Sequence, residues 1–158
     1  MHYFLNIGSN LGQRKLHISR ALRALEERFG YFETSHIIES EPWGYDSPNK
    51  FLNLAVMIIS DLEPAEMLAA VKEIEAQLDG TQHRDAAGGY ADRKVDIDIM
   101  AADETALDTP ELTLPHPRLA QRRFFLVPFA ELAPRWRHPL SGLTCDQMLE
   151  ALPEAEAE

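Results

Sequence analysis

Two acidic residues separated by a single position are the sharpest chemical feature of this sequence. In Asp96-Ile97-Asp98 the carboxylates lie two residues apart, and on a β-strand such residues leave the same face with their Cα atoms about 7 Å apart. Two carboxylates at that spacing can converge on one cation, and oxygen ligands of this kind suit Mg²⁺, which usually keeps waters and also binds substrate phosphates. Taken alone, the doublet fits two solvated acids on an exposed strand face better than a metal site, so its neighbours decide between the two.

Basic residues surround the doublet along the chain. Arg93 comes just before it, Arg84 lies further upstream, and Pro115-His116-Pro117 followed by Arg122-Arg123 lies downstream. Guanidinium groups bind phosphate oxygens in pairs, and a metal with arginines is the usual apparatus for phosphoryl transfer. Each arginine alone fits a solubilising surface residue, and His116 alone fits a structural or surface histidine. Only the cluster predicts a phosphate-handling site.

An aromatic ring and an amide are paired in Phe51-Leu52-Asn53. On a strand, Phe51 and Asn53 share one face while Leu52 faces the other way. A ring beside an amide, which offers both a donor and an acceptor, suits a flat heterocycle with mixed hydrogen-bonding edges. Without further context, a core phenylalanine and an edge asparagine explain the pair better.

Hydrophobic periodicity shows which elements must position these residues. Residues 3–8, 31–41, 51–59 and 93–100 are predicted strands, and in the last of these Val95, Ile97 and Ile99 alternate with charged residues. A helix is predicted over the spacing Ile18, Leu22, Leu25 and Phe29 and ends at Gly30, which favours a left-handed cap. A second helix begins near Pro64 and keeps the spacing Met67, Leu68, Val71, Ile74 and Leu78 up to Gly80.

The order β-α-β-β-α-β predicts an α+β protein with a ferredoxin-like core, in which an antiparallel sheet carries its two helices on one face. If Val95, Ile97 and Ile99 pack beneath the helices, the acidic doublet must emerge on the other, open face. The long segment 79–92 is expected to be a functional or mobile loop. The proline-rich remainder is expected to form loops and short helices, with a capping box at residues 144–147. We predict one domain over residues 1–153 and a frayed acidic tail over 154–158.

Composition excludes several classes of protein. The 158 residues carry a formal net charge of −11, which disfavours an extended nucleic acid as partner because such binding needs many phosphate contacts. Residues 113–138 nevertheless contain five arginines against one glutamate, a basic patch that still allows a small polyphosphate. The single Cys145 fits a reducing compartment. Asn6 interrupts the first apolar run well short of the length of a signal-peptide apolar region. No stretch reaches the roughly 20 apolar residues of a membrane span. We therefore expect a cytoplasmic protein.

Six motifs in order along the chain resemble those of the 6-hydroxymethyl-7,8-dihydropterin pyrophosphokinase family of folate biosynthesis. They are Ile7-Gly8-Ser9-Asn10-Leu11-Gly12, Glu41-Pro42-Trp43-Gly44, Phe51-Leu52-Asn53 with Ile74-Glu75, Arg93-Lys94-Val95-Asp96-Ile97-Asp98-Ile99-Met100, Leu114-Pro115-His116-Pro117, and Arg122-Arg123-Phe124 with Pro128-Phe129-Ala130-Glu131-Leu132-Ala133-Pro134. Together they cover nearly the whole chain.

The resemblance implies transfer of a pyrophosphoryl group from ATP to the hydroxymethyl oxygen of the pterin, with two Mg²⁺ ions. It implies metal binding by Asp96 and Asp98, and catalytic roles for these two residues with Arg84, Arg93 and Arg122. The pterin site would consist of Ser40, Pro42, Trp43, Phe51, Asn53, Asp96 and Phe124. The ATP site would consist of Lys72, Glu75, Tyr90, Arg93, Ile99, Thr113, His116, Pro117 and Arg122. No nucleic acid or membrane partner is implied, and a monomer is expected.

The chain departs from the family pattern at two places, and two other classes of protein remain to be weighed. Ser40-Glu41 stands where the family more often has Thr-Pro, and the arginine pattern around Arg84 differs. One alternative is a ferredoxin-like domain that binds RNA or a nucleotide without chemistry, although its sheet would carry aromatic and basic residues where this one presents Asp96 and Asp98. The other is a small-molecule regulatory domain, which needs no paired metal ligands.

Overall fold

The secondary structure follows the predicted order through the first two thirds of the chain. The computed structural model describes residues 1–41, 49–79 and 94–153. Its elements are β1 (His2–Ser9), α1 (Arg14–Phe29), β2 (Phe32–Thr34), β3 (Ile38–Ser40), β4 (Phe51–Ile59), α2 (Pro64–Asp79), β5 (Asp96–Ala102), β6 (Leu107–Asp108), β7 (Thr113–Leu114), a 3-10 turn (Leu119–Gln121), α3 (Arg123–Leu132) and α4 (Cys145–Ala151).

The main sheet has the strand order β2-β4-β1-β5, and β3 also pairs with β4. Every pairing in this sheet is antiparallel. With β2 and β3 taken as one interrupted strand, this is the ferredoxin-like arrangement, and the predicted fold class is confirmed.

The larger core lies between the sheet and helices α1 and α2. Alternate residues of β1 point into it, as period-two alternation requires: Tyr3, Leu5 and Ile7 are fully buried. The same cluster contains Ile18, Ala21 and Leu25 of α1, Met67, Val71 and Ile74 of α2, Leu52, Leu54, Val56 and Ile58 of β4, and Ile97 and Ile99 of β5. Of these, Ile18, Leu25, Met67, Val71, Ile74, Ile97 and Ile99 are residues that the sequence periodicity placed on core-facing sides.

A second, smaller core covers part of the other sheet face. Phe4 packs there against Phe129 of α3, with ring centroids 4.7 Å apart, and Met100, Trp136 and Met148 belong to the same cluster. Among the described residues, the part of this face that the second core leaves uncovered is the end of the sheet where β1 reaches Gly8. Its walls are the start of α3 on one side and the outer strand β5 on the other.

The predicted strand over residues 31–41 is wrong as one continuous element. β2 pairs Thr34 with Val56, whereas β3 pairs Ile38 with Asn53, so three residues on one strand oppose two on the other. This is a β-bulge. Ser35 fills the interruption, because its hydroxyl accepts the Ala55 N–H at 2.8 Å and donates to the His36 carbonyl. The side chain thus replaces ladder bonds that the bulge removes.

Other boundaries are close to the predicted ones. β5 begins at Asp96 rather than at residue 93 and continues to Ala102. Gly30 ends α1 with the predicted positive φ of 84°, but its ψ of −137° lies outside the left-handed helical region. The predicted capping box is present, since the Thr144 hydroxyl accepts the Gln147 N–H and the Gln147 side chain accepts the Thr144 N–H. Among the described helices, none has the length and apolarity needed to cross a bilayer.

Candidate active site

The acidic doublet emerges on the open end of the sheet, as strand parity predicts. Val95, Ile97 and Ile99 are 2%, 3% and 4% exposed beneath the helices, while Asp96 and Asp98 are half-buried on the opposite face. Asp96 is opposite Gly8 of β1, and Asp98 is opposite Asn6. Both carboxylates therefore project from an edge strand beside the centre of the sheet.

Glu75 of α2 holds the outer edge of β5 between the two acids. Its Oε2 accepts the Ile97 N–H at 2.6 Å, and its Oε1 lies 3.9 Å from Lys72 Nζ. A bond to the backbone of an edge strand fixes the strand's path. The resemblance assigns Glu75 to ATP, and the structure additionally gives its carboxylate this structural partner.

Asn53 and Ser40 form a buried pair across the sheet from the doublet. Asn53 Nδ2 donates to Ser40 Oγ at 2.9 Å, and the two residues are 2% and 7% exposed. Asn53 and Asp96 are both in register with Gly8, from opposite sides. Phe51 lies two residues before Asn53 on the same face of β4 and is half-buried. The predicted parity of Phe51 and Asn53 is confirmed.

A cleft of about 230 Å³ lies along the outer side of β5. It brings together six of the residues predicted for ATP or metal from separate elements, namely Lys72, Asp98, Ile99, Thr113, His116 and Pro117. Sequence reasoning missed the remaining lining residues, Leu68, Ile97, Thr109, Pro110, Glu111 and Leu112. The mixed apolar and polar lining suits a ligand with a flat base and a charged tail.

The hairpin of β6 and β7 supplies most of the missed residues. Each of its strands has only two residues, too few for an alternating pattern to appear. The turn between them is closed by Thr109, which accepts the Leu112 N–H and donates to the Leu112 carbonyl through its hydroxyl. The adjacent Pro110 is a turn signal that could have indicated this hairpin.

His116 is held as a neutral imidazole at the cleft. Burial, reinforced by the positive charges of Arg122 and Arg118, lowers the pKa of His116 to about 4. Its Nδ1 accepts the Arg118 N–H at 3.0 Å. A neutral ring that accepts at Nδ1 carries its proton at Nε2, so His116 offers a hydrogen-bond donor without a charge.

Arg122 and Phe124 lie at the entry to α3. Arg122 is 5% exposed, and its guanidinium carbon lies 5.7 Å and 5.2 Å from the ring centroids of Phe124 and Phe125. Phe124 is half-buried, and its carbonyl accepts a hydrogen bond from Asn6 of β1.

Five other predicted site residues, Pro42, Trp43, Arg84, Tyr90 and Arg93, lie outside the described residues.

The chemistry of the donors fits Mg²⁺. Among the described residues, no group of three His, Cys, Asp or Glu side chains is placed to hold a metal ion, so a metal at the doublet would have only two protein carboxylates, Asp96 and Asp98, among the described residues. Two half-buried carboxylates beside a cleft are the partial ligand set that Mg²⁺ uses when waters and substrate phosphates complete its octahedron.

The fold and the site together define a class: an α+β domain whose open sheet end combines paired carboxylates, an adjacent cleft and a buried amide. The comparisons with known proteins make the assignment specific. The chain belongs to the 7,8-dihydro-6-hydroxymethylpterin-pyrophosphokinase (HPPK) family, whose model matches residues 4–134.

Named relatives agree with the family match. The chain is 43% identical over 138 residues to the 2-amino-4-hydroxy-6-hydroxymethyldihydropteridine pyrophosphokinase of Porphyromonas gingivalis, covering 86% of this chain and 92% of that one. It is 33% identical over 146 residues to the Bacillus subtilis protein of the same name, covering 91% and 85%.

Solved structures support the fold alone. The HPPK-DHPS of Plasmodium falciparum with pteroate superimposes with a TM-score of 0.70 at 14% identity. The match covers 94% of this chain and 44% of that one, so the chain spans less than half the length of that protein.

Proposed function

We propose that this protein transfers the pyrophosphoryl group of ATP to the hydroxymethyl oxygen of 6-hydroxymethyl-7,8-dihydropterin, giving the pterin diphosphate and AMP in folate biosynthesis. Membership of the family supports this reaction. The structural observation that carries it is the register of three strands, which sets Asn53 and Asp96 on either side of Gly8. A ring bound at Asn53 would thus lie beside the acidic doublet.

The cleft along β5 is the proposed ATP site. Its apolar residues Leu68 and Leu112 suit a base, while Lys72, Thr113 and His116 offer polar groups to the ribose and phosphates. The neutral His116 can donate a hydrogen bond from Nε2 to the nucleotide and remains uncharged. Since Asp98 also lines the cleft, a nucleotide there would have its phosphates within reach of the doublet.

The pterin site is proposed at the end of the sheet near Gly8. Asn53, oriented by Ser40, faces the mixed donor and acceptor edge of the pterin. Phe51 and Phe124 supply aromatic faces for stacking. A pterin held in this way would present its hydroxymethyl oxygen to the β-phosphorus of ATP.

The reaction forms one bond and breaks one. The hydroxymethyl oxygen attacks the β-phosphorus, the bond from that phosphorus to the oxygen bridging the α- and β-phosphates breaks, and AMP leaves with the bridging oxygen. The hydroxyl proton is lost, and the Asp96 carboxylate is the proposed acceptor. No strong base is required, because in phosphoryl transfer positioning and charge stabilisation provide most of the acceleration.

Asp96 and Asp98 would hold the metal, and we propose two Mg²⁺ ions. When bound, Mg²⁺ supplies charge neutralisation on the phosphate oxygens. Arg122, beside Phe124 and near His116, would add positive charge at the same place, and Arg84 and Arg93 are proposed to act from the segment outside the described residues. We further propose that the protein is cytoplasmic and monomeric. Gel filtration with light scattering would test the oligomeric state.

The decisive experiment is a coupled assay for AMP, run with ATP and Mg²⁺ in the presence and absence of the pterin. Pterin-dependent AMP release, abolished by a chelator, is expected. AMP release at the same rate with and without the pterin would contradict the proposal, and so would the absence of any AMP release. The alternative of an RNA-binding domain is not supported by the named relatives, and a filter-binding measurement with and without Mg²⁺ would detect it.

A further inference from the structure

Asn6 is a buried amide on the site face of the central strand. It is 2% exposed and lies in register between Ala55 of β4 and Asp98 of β5. Two residues before it, Phe4 belongs to the apolar second core. Burying an amide is unfavourable unless it is hydrogen-bonded, so the partner of Asn6 indicates why a polar side chain occupies this position.

The partner is a main-chain carbonyl of α3. Asn6 Nδ2 donates to the carbonyl oxygen of Phe124 at 3.1 Å, across 118 positions of sequence. In a regular α-helix, that carbonyl would accept the N–H of residue 128. Residue 128 is Pro128, inside α3, and proline has no N–H to donate. Asn6 therefore supplies the hydrogen-bond donor that Pro128 lacks.

This bond connects the two halves of the site. Phe124 is the second residue of α3 and belongs to the proposed pterin site, while Asp98 pairs directly with Asn6 on the neighbouring strand. We propose that Asn6 is a positioning residue, whose amide fixes the start of α3, and with it the Phe124 ring, relative to the acidic doublet. The inference deepens the proposed function and rests on it for the identity of the ligand.

A double-mutant cycle between Asn6 and Pro128 tests the proposal. We would measure the dissociation constants of the pterin and of ATP by calorimetry, with a non-transferable ATP analogue and Mg²⁺ present for the pterin titration. Asn6→Ala should weaken pterin binding about tenfold and change ATP binding less than about twofold, because the lost bond lies at Phe124. In the Pro128→Ala background, the same substitution should weaken pterin binding less than about threefold, since a helical N–H is restored at position 128.

Tyr3→Phe provides a matched control on the same strand. The Tyr3 hydroxyl donates to the Leu62 carbonyl at 2.6 Å, so this variant also removes a bond from a side chain to a carbonyl, but on the opposite face of the sheet. It should lower the free energy of unfolding without changing either dissociation constant. A merely structural role for Asn6 would give the same pattern as Tyr3→Phe.

Each remaining outcome bears on the proposal. Unchanged pterin affinity in Asn6→Ala, or equal effects of Asn6→Ala in both backgrounds, would overturn it. If Asn6→Ala alone does not fold, folding of the double variant demonstrates the coupling, and failure of both shows that Asn6 acts through something other than the Phe124 carbonyl. If the unmodified protein releases no AMP with the pterin present, the proposed function fails instead, and the coupling measured in the free energy of unfolding still tests the bond.

Discussion

Gly8 provides the space that the Asn53 side chain occupies: a Cβ atom on residue 8 would lie 2.9 Å from Asn53 Oδ1. It would also lie 3.3 Å from Cδ1 of Phe51. Asn53 cannot move aside without cost, because it is buried and bonded to Ser40. The glycine at this position is therefore required by the close approach of two site residues and not by an unusual backbone angle.

Substituting Gly8→Ala should weaken pterin binding by about tenfold, because crowding of this kind typically costs about 1–3 kcal/mol and here falls on Asn53 and Phe51. ATP binding should change little, since Gly8 does not line the β5 cleft. Calorimetric titration with each ligand measures both effects.

Gly30→Ala is the control for this prediction. Gly30 has a φ of 84°, and a Cβ atom on residue 30 would meet no other atom within 4 Å among the described residues. The substitution therefore strains the backbone at the end of α1 without crowding the site. It should lower stability and leave pterin affinity unchanged. Equal pterin affinity in Gly8→Ala and the unmodified protein would contradict the role given to Gly8.

Much of the geometry of this site could be predicted from the sequence, because the alternation of apolar and polar residues indicates which face of the sheet each side chain takes. Ile97 between Asp96 and Asp98, and Leu52 between Phe51 and Asn53, fix which face each side chain takes once the helices are placed. The family resemblance then supplied the ligands. The features that the sequence did not predict depend on contacts between residues distant in sequence, or belong to elements too short to show a periodic pattern.

Asn6 shows this limit most clearly. In the sequence it is a polar interruption of an apolar run, and nothing near it indicates that its partner is the Phe124 carbonyl. The bulge at Ser35 is similar. Its one extra residue reverses the alternation, so that Thr34 is in register with Val56 of the larger core while Ser40 is in register with Phe51 on the site face, and no local motif marks this reversal. Part of the second sheet face is covered by α3, against which α4 packs, and periodicity alone could not have docked either helix.

Asp98→Asn should abolish most of the activity without harming the fold. The loss of a metal-binding charge should lower kcat by at least about 100-fold, since charge stabilisation in such sites contributes several kcal/mol. The cooperative thermal unfolding transition should be retained, because asparagine has nearly the same size and shape as aspartate. Steady-state kinetics and thermal unfolding measure the two quantities.

The matched control is Asp61→Asn, an exposed acid between β4 and α2. It removes the same charge from the protein but should leave kcat within about twofold. Full activity of Asp98→Asn at saturating Mg²⁺ would eliminate the doublet as the metal site.

Glu75→Ala should loosen β5 between the two acids. The Ile97 N–H would lose its carboxylate acceptor, at a cost of about 1–3 kcal/mol for an unsatisfied group, and the exchange of that amide with solvent should accelerate. We expect kcat to fall about tenfold through displacement of Asp96 and Asp98. Glu75→Gln retains an acceptor oxygen and should have a much smaller effect on both measurements.

Glu73→Gln is the control on the same helix. Its carboxylate makes an exposed ion pair with Arg28 at 2.5 Å, and pairs of this kind contribute little. Neither the Ile97 amide nor kcat should respond to it. Unaltered exchange at Ile97 in Glu75→Ala would refute the positioning role.

The neutral state of His116 has a consequence for stability that can be measured without any ligand. Burial, and then the charges of Arg122 and Arg118, lower its pKa from 6.5 to about 4 in the folded protein. Between these two values the unfolded chain binds a proton at His116 that the folded chain does not. The contribution of His116 to the free energy of unfolding therefore falls as the pH falls from about 6.5 to about 4.

His116→Asn should flatten this dependence. The substitution keeps an oxygen that can accept the Arg118 N–H but removes the titrating group, so the variant should lose less stability than the unmodified protein between pH 6.5 and pH 4. Above pH 6.5 the difference in stability between the two proteins should be constant, because His116 is then neutral in both the folded and the unfolded states. Chemical denaturation across this range measures the two curves. Parallel curves from pH 7 down to pH 4 would mean that His116 titrates normally in the folded protein, and that its ring is not kept uncharged beside the β5 cleft.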